Sequence, residues 1–267
     1  MKILTLLYHD SYEGVDRDAS GFPGAAPGRY KLEIGEMRRH FEAVSQRGYY
    51  QPSTILHFLD NPTRHPNPMF ITFDDGGISS ITQIAPILEE FGWAGHFFVT
   101  AGQIGSKSFL SGSQIRKLSA RGHIIGSHSW SHPSRMSKCS TAELRFEWSE
   151  STKRLSDITG ETVRSASVPG GFFSRAVAET AAEVGINALF TSEPTKRAFY
   201  IQDCLILGRF TLLEGMRPGV SGSLASGRFS PERSRQFIHW NAKKLAKRVL
   251  GERYLVLRRS ILSKIRG

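Results

Sequence analysis

Short apolar runs at 3–8, 69–73, 95–100, 123–127, 164–168, 187–191 and 205–212 alternate with helical patterns at 33–47, 80–91, 113–121, 140–159 and 174–184. This alternation restricts the fold more than any other feature. Runs of this length bounded by turn residues read as strands, and intervening helices return the chain to the same end of a sheet. The pattern predicts an α/β chain with a parallel sheet or barrel. The helix near 140 opens with a capping box, Ser140-Thr141-Ala142-Glu143, and then sets Leu144, Trp148, Leu155 and Ile158 on roughly one face. Two stretches interrupt the pattern. Residues 11–30, rich in Gly, Pro and Ala, read as a long mobile loop beside His9, either part of a substrate lid or disordered. Pro218 to Ser230 reads as a Gly/Ser-rich linker. The expected organisation is therefore a main domain over 1–217, a linker over 218–230 and a helical tail over 231–267.

The run Met69-Phe70-Ile71-Thr72 closes on Phe73-Asp74-Asp75-Gly76. Two adjacent carboxylates at a strand end repel when both are ionised, so a cation or a functional role is expected to hold them. Asp and Gly are also ordinary turn residues, which is the plainer reading of the same tetrapeptide. About fifty residues on, His128-Ser129-Trp130-Ser131-His132 places two imidazoles four positions apart. One carboxylate with two histidines is a common ligand set for a divalent metal and leaves positions open for water and substrate. The second carboxylate is then free to act as a base. Both segments sit at strand-to-loop junctions, where α/β folds place their chemistry.

Thr72-Phe73-Asp74-Asp75-Gly76 and His128-Ser129-Trp130-Ser131-His132 resemble the first two motifs of the polysaccharide deacetylases, carbohydrate esterase family four. Gly122-His123-Ile124-Ile125-Gly126-Ser127 resembles the approach to the second motif, and Val168-Pro169-Gly170-Gly171-Phe172 the proline-containing third. Leu7-Tyr8-His9-Asp10 is similar to the Tyr-His start of many bacterial members. The resemblance covers about residues 1–215. It implies a distorted, incomplete (β/α) barrel with a metal at the carboxyl ends of its strands. It also implies Asp74 as general base, Asp75, His128 and His132 as metal ligands, and the backbone N–H of Gly170 as an oxyanion donor.

Two family features are missing. The third motif usually carries an arginine two residues before its proline, holding the base aspartate; that position is Ser167 here, with Arg164 nearby. A late Leu-x-x-His motif supplies the acid that protonates the leaving amine, yet the matching segment Cys204–Leu212 has no histidine. His9 is the candidate acid, because its strand ends at the same barrel face as Asp74; a hydrogen-bonded structural histidine is the alternative. Arg209 is a candidate for binding an anionic part of the substrate, with an outward-facing surface arginine as the alternative.

Charge is concentrated at one end. Residues 231–267 hold 11 Lys/Arg against two acidic residues, +9 of the formal net charge of +11. Ile238, Ala242, Leu245 and Val249 follow helical spacing among Lys243, Lys244, Lys247 and Arg248. Tyr254, Leu257, Ile261 and Ile265 repeat the spacing beside Arg258, Arg259, Lys264 and Arg266. Two basic amphipathic helices follow, suited to packing on the barrel or to an anionic membrane surface. Nucleic acid is not an expected partner, since the barrel motifs give no reason for it.

No run approaches the length of a membrane span. The N-terminus has too short an apolar run for a signal peptide and reads as a buried strand. Cys139 and Cys204 form no Cys-x-x-Cys pattern and are expected to stay reduced, which suits a cytoplasmic location, with peripheral attachment to the inner face of the membrane through the tail. The expected activity is removal of N-acetyl groups from amino sugars of a surface glycan or its lipid-linked or cytoplasmic precursor. Zinc is the expected metal, though cobalt, nickel, iron and manganese tolerate the same ligands. A deformylase or other amidohydrolase on a lipid-linked aminosugar, and a glycan-binding member without turnover, are the alternatives.

Overall fold

In a computed structural model of the chain, the described residues are 2–250, without His65 and Arg228, and with backbone only over 245–250. The second expected basic helix, beyond Gly251, lies outside them. The strands are β1 (Leu4–Tyr8), β2 (Ser11–Tyr12), β3 (Leu32–Glu33), β4 (Gln51–Pro52), β5 (Pro68–Phe73), β6 (His96–Val99), β7 (Ile124–Ser127), β8 (Ser165–Ser167), β9 (Ala188–Phe190), β10 (Phe199–Ile201), β11 (Cys204–Leu207) and β12 (Phe210–Thr211). The helices are α1 (Ala25–Gly28), α2 (Ile34–Ser45), α3 (Ile55–Asp60), α4 (Ala85–Glu90), α5 (Gly112–Ala120), α6 (Thr141–Thr159), α7 (Arg175–Glu183), α8 (Pro218–Leu224) and α9 (Pro231–Leu250).

The main sheet runs β10-β11-β9-β8-β7-β6-β5-β1-β12, with β4 pairing beside β5. Its pairs are parallel except β10 with β11. The two ends of this order, β10 and β12, do not pair with each other, so the curled sheet is an incomplete barrel. Alternation along each strand separates the two sides. In β5, Met69, Ile71 and Phe73 join a cluster that includes Met37 and Phe41 of α2, while Phe70 packs inward with Phe98, Phe190 and Leu207. Asp74 follows with the inward parity of Phe70 and Thr72, which aims it into the barrel mouth. The capping box of α6 forms as expected, and Gly160 ends that helix at φ 77. Trp148 is fully buried and donates through Nε1 to Val177 O at 3.2 Å, tying α6 to α7.

Residues 11–30 depart from the expected mobile loop. Besides β2 and α1, this segment is gathered around the buried Lys31, whose Nζ donates to Arg17 O at 2.8 Å, Ser20 O at 2.6 Å and Phe22 O at 2.7 Å. Ser20 and Ser79 both donate to Asp10 Oδ1 at 2.8 Å. Burial and the nearby Asp75 push the Asp10 carboxyl up to about 6. A buried ammonium is tolerated only when its donors are satisfied, and here three carbonyls of the loop do so.

The segment 218–230, which reads as a linker, contains α8, with Ser221, Gly222 and Leu224 buried. Ser221 Oγ donates to His40 O at 3.0 Å. A Cβ on Gly222 would sit 2.8 Å from Ala43 O. The small residues that suggest flexibility thus permit close approach of α8 to α2. No helix among the described residues is long and apolar enough to cross a membrane.

Candidate metal centre and active site

At the end of β5 the chain turns sharply, with Asp75 at φ 79 and Gly76 at φ 84. A Cβ at Gly76 would lie 2.9 Å from Val99 Cγ1, so β6 crowds this turn. Across the mouth, β7 ends at Ser127 and His128 N donates to Val99 O at 2.9 Å. Ser129 (φ 66) and His132 (φ 57) are also left-handed. Such backbone costs a non-glycine residue on the order of 1–3 kcal/mol, and it clusters here at one place. Glu147 of α6 holds the loop between the two histidines: its carboxylate accepts from Trp130 N at 2.9 Å, Ser131 N at 2.8 Å and Ser131 Oγ at 2.6 Å.

The result brings Asp75, His128 and His132 together. Asp75 Oδ1 lies 3.5 Å from His128 Nε2 and 3.6 Å from His132 Nε2, and one ligand atom from each residue falls within 4.8 Å of the others. His128 Nδ1 is 3.0 Å from Ser167 O. A proton on Nδ1 for that carbonyl leaves the Nε2 lone pair facing the carboxylate, the arrangement metal-ligating histidines use. The donor set fits a divalent cation of the zinc type.

Asp74 is held separately, by a residue that the sequence points elsewhere. Arg209 is fully buried. Its Nη1 donates to Asp74 Oδ1 at 2.7 Å and to Thr72 Oγ1 at 3.2 Å. Its Nη2 donates to Asp74 Oδ2 at 2.9 Å and to Ser167 Oγ at 2.8 Å, and Nε donates to Thr191 O at 3.0 Å. All five guanidinium N–H groups are therefore used. Ser167 Oγ also donates to Asp74 Oδ2 at 3.1 Å. Arg209 is thus neither an outward surface residue nor, in this geometry, a substrate contact; β12 lies beside β1 and brings it under Asp74. Arg164 sits before β8, at the other end of that strand, where Nε donates to Asn187 Oδ1 at 2.9 Å.

The charges order themselves around this clamp. Burial alone would raise the Asp74 carboxyl, but Arg209, with His128 and His9, holds it well below the usual carboxylate range. Asp75 is also lowered, its burial outweighed by His128, His9 and His132. His128 is raised despite burial, because both aspartates face it. Burial and the neighbouring His128 bring His132 down to about 4.

His9, Asp74, Asp75, His128, His132 and Gly170 all line one cavity of about 670 Å³. His9 is half-buried, packs against Tyr30 with ring centroids 4.6 Å apart and planes tilted by 42°, and has no hydrogen-bond partner at Nδ1. Its burial lowers its proton affinity, against the pull of Asp75 and Asp74. Gly170 adopts φ 59 in the turn Pro169–Gly171. These six residues come from separate stretches of the sequence and meet at one cavity. Sequence reasoning misses Ser167 as a partner of Asp74, Glu147 as the anchor of the histidine loop, and the contribution of α9 to the cavity wall through Gln236, His239, Trp240 and Lys243. Only helical spacing within α9 carries a signal for the last of these.

A family model described as polysaccharide deacetylase matches residues 61–189. A peptidoglycan-N-acetylglucosamine deacetylase of Listeria monocytogenes is 29% identical over 177 residues, 65% of this chain and 35% of the relative. A chitooligosaccharide deacetylase of Azorhizobium caulinodans is 30% identical over 126 residues, 46% of this chain and 58% of the relative. The chain spans about a third of the length of the Listeria relative. Among solved structures, the Streptococcus pyogenes deacetylase PplD in complex with acetate superposes with a TM-score of 0.68 at 20% identity, covering 82% of this chain and 95% of that one. IcaB from Ammonifex degensii gives 0.68 at 22%, covering 84% and 97%. At these identities the two structures show a shared fold.

Proposed function

We propose, from the polysaccharide deacetylase family match over residues 61–189, that the chain removes N-acetyl groups from amino sugars of a surface glycan or its lipid-linked precursor. One observation carries the reading: an arginine-clamped carboxylate, Asp74, opens into the same cavity as the Asp75, His128 and His132 donor set. A divalent cation held by those three residues would acidify water and polarise the amide carbonyl. Zinc is the metal proposed, and cobalt, nickel, iron and manganese are compatible with the same ligands.

Asp74 is the general base in this proposal. Arg209 keeps it ionised and fixes both of its oxygens, so it meets a water proton in one orientation. Gly170 lines the same cavity, and its backbone N–H is assigned to the oxygen that gains charge as the amide carbon becomes tetrahedral. His9 is assigned to the leaving nitrogen: it enters from β1, reaches the cavity, and has Nδ1 unpaired. The reading of a glycan-binding protein without turnover loses one of its supports, since Asp74 does not lack an arginine.

The test is acid release from N-acetylated oligosaccharides and lipid-linked aminosugars, using metal-loaded wild type beside Asp74→Asn. Acetate from the wild type and a loss of at least about 10²-fold in the variant are expected. Formate in place of acetate would favour the deformylase alternative. No acid from any substrate, with metal still bound, would overturn the hydrolase reading.

A further inference from the structure

Gln236, His239, Trp240 and Lys243 of α9 fall at i, i+3, i+4 and i+7, and all four line the cavity that holds the candidate active site. The helix is fastened there. Gln236 Oε1 accepts from Thr211 N and its Nε2 donates to Thr211 O, both at 3.0 Å, so one side-chain amide pairs with the backbone of β12. Trp240 reaches the third-motif turn: a Cβ on Gly171 would lie 3.4 Å from its Cη2. The basic tail therefore begins as a wall of the site.

The charges at this mouth share a sign. Arg29 lines the cavity from the segment after α1, and Lys243 from α9; both residues are exposed. Among the described residues, no carboxylate lines the cavity apart from Asp74 and Asp75 on its floor. Tyr30 and the half-buried Trp240 add aromatic surface, of the kind that packs on the apolar face of a sugar ring. At about 670 Å³ the space suits a ligand of one or two sugar units, within the roughly 300–1,000 Å³ usual for small-molecule sites.

We infer that the first turns of α9, together with Arg29 of the same cavity, select an amino sugar that carries a phosphate group next to the reacting residue. Trp240 supports the sugar ring, and Lys243 and Arg29 meet the phosphate. The inference rests on the amino-sugar reading of the site and narrows its substrate class.

Binding tests it without turnover, using calorimetry on the full chain. The probes are glucosamine, glucosamine 1-phosphate, the alkyl phosphodiester of the same sugar, and inorganic phosphate. At least one phosphorylated sugar is expected to bind roughly tenfold more tightly than glucosamine, and more tightly than phosphate alone. Preference for the monoester would indicate a free sugar phosphate, and preference for the diester a lipid-type carrier. Arg29→Ala with Lys243→Ala should abolish the preference while leaving glucosamine affinity unchanged; Trp240→Ala should weaken both sugars about tenfold. Equal affinities in the wild type, or a preference that survives the double substitution, would overturn the inference. Both basic side chains are exposed, so melting temperatures of the variants should match the wild type. Loss of the deacetylase reading would instead show as absent acid release, which these affinities do not depend on.

Discussion

Arg209 commits every N–H of its guanidinium inside the barrel, two of them to the carboxylate that would act as base. A lysine retains the charge but not the fork, so the two substitutions separate position from electrostatics. Arg209→Ala leaves Asp74 buried without its cation, and a broken buried pair costs on the order of 3–5 kcal/mol. Calorimetric melting should show that loss. Arg209→Lys should fold better but free one carboxylate oxygen, lowering kcat/KM by about tenfold or more. The pH profile gives the sharper reading. Asp74 is lowered in the wild type with Arg209 as the principal opposing charge, so the ionised base persists into acid. Weakening the clamp raises the Asp74 carboxyl, and the acid limb of kcat/KM moves to higher pH. An unmoved limb in Arg209→Lys would mean that Asp74 is not the titrating base, or that Arg209 does not set its ionisation.

Elements whose periodicity is local are visible in the sequence. The strand at 69–73, the helix at 140–159 and the capping box that opens it all arise from neighbouring residues, and each appears where the pattern puts it. The donor set Asp75, His128 and His132 is equally legible, because both of its pieces sit at strand ends. What the sequence hides depends on partners far along the chain. Arg209 looks like a surface arginine until β12 is placed beside β1, a pairing that joins Leu6 to Phe210. Glu147 looks like any polar helix residue until the histidine loop folds over it. The helix α8 is hidden for a different reason: its Gly and Ser residues resemble a linker, and only contact with α2 distinguishes packing from flexibility. Two glycines of that helix make the distinction measurable. Gly222→Val places a side chain against Ala43 O, already 2.8 Å from a bare Cβ, and overpacking of this kind costs about 1–3 kcal/mol. Gly219 has open space around it, so Gly219→Ala should be neutral or stabilising by up to about 1 kcal/mol. Equal melting temperatures for the two variants would mean that 218–230 behaves as a linker after all.

At the scale of the whole molecule, charge and apolar exposure meet on α9. Its cavity-side residues are Gln236, His239, Trp240 and Lys243. Away from that face, Phe237 is 47% exposed and Ile238 66%, with the exposed Arg235 and Lys244 beside them. One helix thus borders the candidate active site while presenting aromatic, aliphatic and basic side chains to its surroundings. An anionic bilayer rewards that combination, since apolar burial adds to roughly 1 kcal/mol for each Lys or Arg near the surface. We propose that the outer face of α9 rests on such a surface, which would bring the cavity mouth towards a lipid-linked sugar. The full chain should then sediment with vesicles containing anionic phosphatidylglycerol and much less with neutral phosphatidylcholine. Raising salt from about 0.1 M to about 1 M shortens the screening length from about 10 Å to about 3 Å and should release much of the bound protein. Phe237→Ser with Ile238→Ser should weaken the remaining, salt-resistant part, because burial of those side chains does not depend on charge. The combination of results is what decides. Binding that salt abolishes and the double substitution leaves untouched would reduce the contact to adsorption of a cationic tail. No sedimentation with either lipid would remove the membrane from the proposal and leave α9 as a wall of the site alone.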